Sequence, residues 1–301
     1  MVRSLSPMHR ILIVSAFASI SACASAPRVS ASPLAAAEDP ACVPAKELIV
    51  RDQAALLALI PCLEHPDPAI RDAYAIGALT GSLRGGTYPP ETLQRLYTGL
   101  TGMLARGNTD PQGFRGPFAA LALAELARTD RIAPWMTEAQ RSGLISLAQM
   151  YLASLQDFRG YSETEGWRHG VAHTADLLMQ LSLNPQLTKP QAEQILAAIS
   201  LKVGTPQHAY VFGESERLAA PVLYLAQRQM FTEAEWNAWF NGLWPAEDVL
   251  RKTAYSSEAA LAKTHNLRAF AQAVYVSADV NGDAAFAPVR ETALSLLKGL
   301  P

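Results

Sequence analysis

The chain has 301 residues, half of them hydrophobic and 17% charged, with a formal net charge of -2. That composition supplies a sizeable buried core and excludes an intrinsically disordered chain. The slightly acidic balance, with no run of lysines or arginines, excludes a nucleic-acid binder of the usual kind, which needs a basic face.

Residues 1–22 read as an export signal. Arg3, His9 and Arg10 give a basic start, and Ile11 to Ala22 is an uncharged, mostly apolar run. The run is too short to span a bilayer as a stable helix. Met8-His9-Arg10 followed at once by Ile11 makes a compact signal by itself, so Met8 is an alternative start. The end of the run, Ile20-Ser21-Ala22-Cys23, resembles the lipobox of bacterial lipoproteins, whose cysteine becomes the lipidated first residue. Ordinary cleavage after Ala24-Ser25-Ala26 competes with it. The lipobox is preferred because the hydrophobic run stops directly at Cys23. Since Ala24 rather than an acid follows, that resemblance implies a cell-envelope protein held at the outer membrane by its lipid and facing the periplasm. Ordinary cleavage implies a soluble periplasmic protein instead. Removing residues 1–22 takes away two arginines and no acid, which leaves the rest more acidic still.

Residues 23–41 are rich in Ala, Ser and Pro without apolar periodicity, as expected of a flexible tether, and a single folded domain is expected over residues 42–301. Two cysteines fall in it, Cys42 and Cys62. An exported chain meets an oxidising compartment, so a Cys42–Cys62 disulfide is expected, with a pair of free buried thiols as the alternative.

From there helix follows helix. Asp67-Pro68 supplies an N-cap and a proline at the first helical position. Thr137 with Gln140, Ser162 with Glu165, Thr188 with Gln191 and Thr232 with Glu235 have capping-box spacing. Helical patterns are expected at 69–83, 91–104, 117–127, 138–155, 163–183, 191–201, 214–229, 233–243, 257–276 and 288–297. No alternating strand pattern competes with them. The stronger helices recur near residues 69, 117, 163, 214 and 257, a spacing that suits HEAT or armadillo-like pairs. The expected fold is all-α, an α-solenoid, with an α/α toroid as the alternative.

The chemically loaded stretch is Gly166-Trp167-Arg168-His169-Gly170-Val171-Ala172-His173-Thr174-Ala175-Asp176. On a helical wheel over 163–183, Glu165, His169, His173, Asp176 and Gln180 fall within one arc of about 80°, opposite an apolar arc containing Trp167. Two histidines at i and i+4 can share a divalent metal, with Asp176 or Glu165 as third ligand. The same groups suit acid-base work, since a carboxylate tunes an imidazole. The zincin motif is absent, because Gly170 stands where its glutamate is required. The plain alternative is a hydrogen-bonded seam between neighbouring repeats. Asp157-Phe158-Arg159-Gly160-Tyr161 precedes this stretch, and Gly213-Glu214-Ser215-Glu216-Arg217 opens the next strong helix. Arg71-Asp72, Arg115 and His265-Asn266-Leu267-Arg268 also sit near the starts of strong helices, where one continuous polar groove is expected.

These three strings together resemble bacterial domain-of-unknown-function family 2785, with a likeness running from about Arg71 to the C-terminus. The resemblance implies a helical-repeat fold and singles out Asp157, Arg159, Gly160, Trp167, His169, His173, Asp176, Glu214 and Arg217. It implies no activity. Gln156 stands where a further acid is expected, which removes one carboxylate from the comparison.

There is no Walker loop, dinucleotide fingerprint or Gly-x-Ser-x-Gly elbow. The leading expectation is therefore a lipid-anchored helical-repeat protein that binds a peptide, protein or small ligand on a polar inner face. The runner-up is a metal-dependent or acid-base hydrolase centred on His169 and His173.

Overall fold

A computed structural model describes Cys42 and residues 49–301. The signal at 1–22, the Cys23 lipobox and the tether at 23–41 were sequence expectations, and all lie outside the described residues.

The described residues form twelve α-helices: α1 Gln53–Ala58, α2 Ile76–Gly85, α3 Pro90–Ala105, α4 Arg115–Ile132, α5 Glu138–Ser154, α6 Gly170–Ser182, α7 Lys189–Val203, α8 Glu214–Gln227, α9 Glu233–Leu243, α10 Val249–Lys252, α11 Glu258–Asn281 and α12 Ala287–Gly299. Short hairpin strands β1 (Tyr161–Ser162) and β2 (Gly166–Trp167) make the one sheet among the described residues. The all-α class read from the sequence holds. None of the described helices is long and apolar enough to cross a membrane.

The helix starts follow the capping chemistry. Thr137 Oγ1 accepts the Gln140 N–H at 3.2 Å while Gln140 Oε1 accepts the Thr137 N–H at 2.8 Å, and Thr232 and Glu235 repeat the exchange on α9. Gln191 accepts from the Thr188 N–H at the start of α7. Asp67 Oδ1 accepts the Ala69 N–H at 2.8 Å, but the segment it opens, Ala69–Ala75, is π-helical before α2 continues it. Such bulges cluster at functional positions, and this one carries Arg71 and Asp72.

Packing arranges the helices in two rows. In one, α2 lies on α4, α4 on α6, α6 on α8 and α8 on α11; in the other, α3 lies on α5 and α5 on α7. The α4–α6 contact is the most extensive; α4 is lined with the small buried side chains Ala119, Ala120, Ala122, Ala124 and Ala127, which permit close approach, and α6 buries Val171, Leu178 and Leu181. Burying each of those larger side chains contributes about 1.5–3 kcal/mol.

One expected helix is shorter than its pattern. Ser162 Oγ does accept the Glu165 N–H, at 3.4 Å, but that bond closes a hairpin turn. Gly166 adopts φ +72°, Tyr161 pairs with Trp167, and α6 begins only at Gly170. A serine bonding a backbone N–H three residues on serves a turn as well as a cap, and the helical-wheel placement of Glu165 and Trp167 falls with it.

Cys42 and Cys62 form the expected disulfide, with Cα atoms 5.3 Å apart. Reduction is expected to destabilise the domain by about 3 kcal/mol on the chain-entropy argument. Urea unfolding with and without reductant measures it, and two free thiols in non-reduced mature protein would contradict the bridge.

Candidate functional site

The hairpin is pinned from below. The Arg71 side chain, fully buried, donates to the carbonyls of His65 and Pro66 at 2.8 and 3.1 Å and to that of Glu165 at 2.5 Å. Its Nε lies 2.7 Å from Asp72 Oδ1, and Asp72 Oδ2 accepts the Trp167 N–H at 3.0 Å. Arg71 and Arg168 stack on Phe114, 3.7 and 4.3 Å from its ring centroid. Arg168 donates to the Gln112 carbonyl at 2.6 Å and to both Glu165 carboxylate oxygens. Beside it Arg159 grips Asp157 through Nε and Nη2, at 2.8 and 2.6 Å. Burial alone pushes the Asp157 carboxyl up, and the Arg159 hydrogen bonds outweigh it, so the group sits below its ordinary range.

This framework delivers His169 to the N-terminus of α6 in a left-handed conformation, φ 61° and ψ 41°. Such a backbone costs a non-glycine residue about 1–3 kcal/mol, and observed strain of this kind concentrates at functional positions. The imidazole is only 6% exposed. Its Nε2 is sealed from solvent without a well-formed hydrogen bond, 3.5 Å from Glu214 Oε1. Trp167 stacks on the ring at 4.9 Å and 24°, and Phe212 stands edge-on to both. Tyr161, half exposed, leans on Trp167 at 5.1 Å. Gly160 makes this possible: a Cβ there would fall 2.1 Å from the Phe212 ring.

Glu214 opens α8 behind Gly213, whose φ of +85° suits glycine. Its Oε2 accepts the Phe212 N–H at 2.9 Å. Burial pushes this carboxyl up, but His169 and backbone N–H groups hold it, net, below the ordinary glutamate range.

His173 is a turn further along α6, its ring 5.7 Å from that of His169. Its Nδ1 meets the Pro117 carbonyl at 3.2 Å and its ring packs on Phe118, so Nδ1 carries the proton in the neutral form. Burial, with His169 and Arg217 nearby, drives its pKa well below 6.5. The unfolded chain then binds a proton below that value that the native state refuses. His173 thus contributes stability that is present above about pH 6.5 and is lost as pH falls toward the depressed native pKa, by up to about 1.4 kcal/mol per pH unit. Replacing it with Gln should remove up to one proton from the pH dependence of unfolding in that window. An unchanged slope in pH-resolved urea titrations would refute the assignment.

Asp176 pairs with Arg217 across α6 and α8. Burial raises the Asp176 pKa, with Arg217 opposing. Similar contacts continue the row: Arg84 Nε donates to Glu125 at 2.8 Å between α2 and α4, and Arg131 Nε donates to Gln180 at 2.8 Å between α4 and α6.

The structure therefore gathers His169, Glu214 and Trp167 at one place, with Asp176 and Arg217 spanning the same two helices. Asp157 and Arg159 flank the hairpin. Glu165 is displaced onto the hairpin turn, where it pairs with Arg168 rather than a histidine. The expected metal set of His169, His173 and Asp176 is not assembled: His173 is committed to Pro117 and Asp176 to Arg217. Among the described residues no group of three or more His, Cys, Asp or Glu side chains converges as a metal site. Arg168, Phe212 and Tyr161 were not singled out individually from the sequence, although Arg168 lies inside the loaded string and Tyr161 ends the string before it. Phe212 left a signal only in its place before Gly213.

Comparison with known proteins gives one match. A family model described as a protein of unknown function, DUF2785, covers residues 102–276. No curated protein and no solved structure matches the chain.

Proposed function

The chain belongs to the DUF2785 family, and from that premise we propose that it is an exported, lipid-anchored helical-repeat protein of α-solenoid type that holds a peptide segment of a partner protein. The observation that carries the reading is His169: strained, packed beneath Trp167, and presented with Glu214 where α6 and α8 begin. A residue whose backbone costs stability and whose Nε2 lacks a well-formed partner serves something other than the fold. Support also comes from the partly exposed row Arg84–Glu125, Arg131–Gln180 and Asp176–Arg217. It presents two ion pairs and one arginine–amide pair across three steps of packed helices, each about 8–10 Å, a polar surface matched to an extended polypeptide. Tyr161, Trp167 and Phe212 offer an aromatic shelf at its end, the kind of residue that anchors interfaces. His173 is turned onto Pro117 and Phe118 of α4, which leaves His169 as the imidazole beside Glu214.

The test is a photoreactive amino acid at Phe212 in the exported protein. One discrete protein adduct is expected, lost on Arg217→Glu. The second reading, an acid-base hydrolase using His169 and Glu214, is favoured by their 3.5 Å approach. Turnover of chromogenic ester, amide or glycoside substrates that disappears in His169→Ala would replace the binding reading with it. Lipid anchoring is tested separately by metabolic labelling with an alkyne fatty acid, expected in the parent and absent in Cys23→Ser.

A further inference from the structure

A cavity of about 660 Å³ lies against the first half of α11, away from the His169–Glu214 site and sharing none of its residues. Its volume falls in the range of about 300–1,000 Å³ typical of small-ligand sites. One wall is a stripe of α11, Glu258, Leu261, His265 and Arg268, spaced so that they share a helix face. The other is the loop between α7 and α8, with Pro206 and His208, and Tyr255 stands at the rim, 72% exposed.

Both walls are already built. Asn266, fully buried, accepts the Tyr210 N–H at 2.8 Å and donates to the carbonyls of Thr205 and His208 at 3.0 and 2.8 Å. His265 Nε2 meets the Tyr210 carbonyl at 3.0 Å, so that nitrogen carries the proton and Nδ1 of the neutral ring is an acceptor. His208 is stacked on Phe158 at 5.6 Å and 13°. Arg268 Nη2 donates to a terminal carboxylate oxygen of Pro301 at 2.8 Å, so this end of the cavity already holds one carboxylate against the guanidinium. A loop clamped this way needs little ordering when a ligand enters, which conserves binding energy.

The charges sit at opposite ends. Glu258 and Arg268 are separated along α11 by about 15 Å, at the helical rise of about 1.5 Å per residue. An extended peptide advances about 3.3–3.6 Å per residue, so about four residues span the distance. Apart from these charges the lining combines apolar Pro206, Leu261 and alanines with Gln207, Thr264 and the two histidines. We propose that this cavity binds a short peptide of about four residues with free termini, its α-ammonium at Glu258 and its terminal carboxylate at Arg268.

Calorimetric titration of the purified protein with tetra-alanine tests it, alongside N-acetyl and C-amide tetra-alanine and free di-alanine. Tetra-alanine is expected to bind, with each capped form about tenfold weaker, equivalent to about 1.4 kcal/mol. Arg268→Gln should weaken the free peptide by a similar factor and leave the amide unaffected, with Glu258→Gln behaving likewise toward the acetylated form. Both substitutions are at exposed positions, and unchanged thermal midpoints would show the fold intact. Di-alanine, too short to reach both ends, should bind no better than a capped tetrapeptide. No binding of tetra-alanine at millimolar concentration, or equal binding of capped and free forms, would overturn the proposal. Either result leaves crosslinking at Phe212 unaffected, so the two readings fail separately.

Discussion

Arg71→Ala is expected to lower the unfolding free energy by about 3–5 kcal/mol, the range for removing one partner of a buried charge pair. Four acceptors lose their donor at once: the Asp72 carboxylate and the carbonyls of His65, Pro66 and Glu165. The stacking on Phe114 goes as well. Asp72 already has its pKa raised by burial, against the pull of the Trp167 N–H and Arg71, and without Arg71 it should rise further. Lysine should not rescue, because one ammonium cannot reproduce a planar fork facing three carbonyls and a carboxylate. The measurement is a urea unfolding curve paired with hydrogen exchange at 161–167, which should accelerate. If the full variant does not fold, Asp72→Asn keeps the shape, weakens the ion pair and gives a smaller loss of the same sign. A loss below about 1 kcal/mol for Arg71→Ala would show that the hairpin is held by something else.

His169→Gly is expected to be more stable than His169→Ala by about 1 kcal/mol, although glycine gives the unfolded chain more conformational freedom. The reason is φ 61°: a left-handed backbone costs residues with a Cβ about 1–2 kcal/mol and glycine almost nothing. Both variants lose the Trp167 stack and the Glu214 contact, so the difference reports the left-handed backbone at this N-cap. Partner crosslinking at Phe212 should vanish equally in both. Stability and function then separate, with glycine recovering the first and not the second. Differential scanning calorimetry decides it, and an alanine variant as stable as the glycine one would mean that the site stores no strain.

The loaded string illustrates how far local pattern reaches. Ser162 and Glu165 offered a capping box, and the bond between them forms. What local pattern lacked was the distant claim on the same segment: Arg71 and Asp72, more than ninety residues earlier, bind the Glu165 carbonyl and the Trp167 N–H. Those bonds are available only to a non-helical backbone, so the hairpin wins and Glu165 leaves the histidine face. The pairing of His169 with Glu214 was equally out of reach, since α6 and α8 meet through side-chain packing that chain order does not state.

The sequence by itself determined the all-helical class, most helix starts and the Cys42–Cys62 bridge. These rest on interactions within a few residues of one another, or on a cysteine pair with no competitor in the folded part, and such signals hold wherever no distant group makes a rival claim on the same backbone. Only the tertiary structure decided where the candidate site residues go: Glu165 outward to Arg168, His173 inward to Pro117, Asp176 across to Arg217, and His169 into strain beside Glu214. A buried polar group takes whichever distant partner satisfies it, because an unsatisfied one costs about 1–3 kcal/mol, more than a local helical preference of under about 1 kcal/mol per residue can resist.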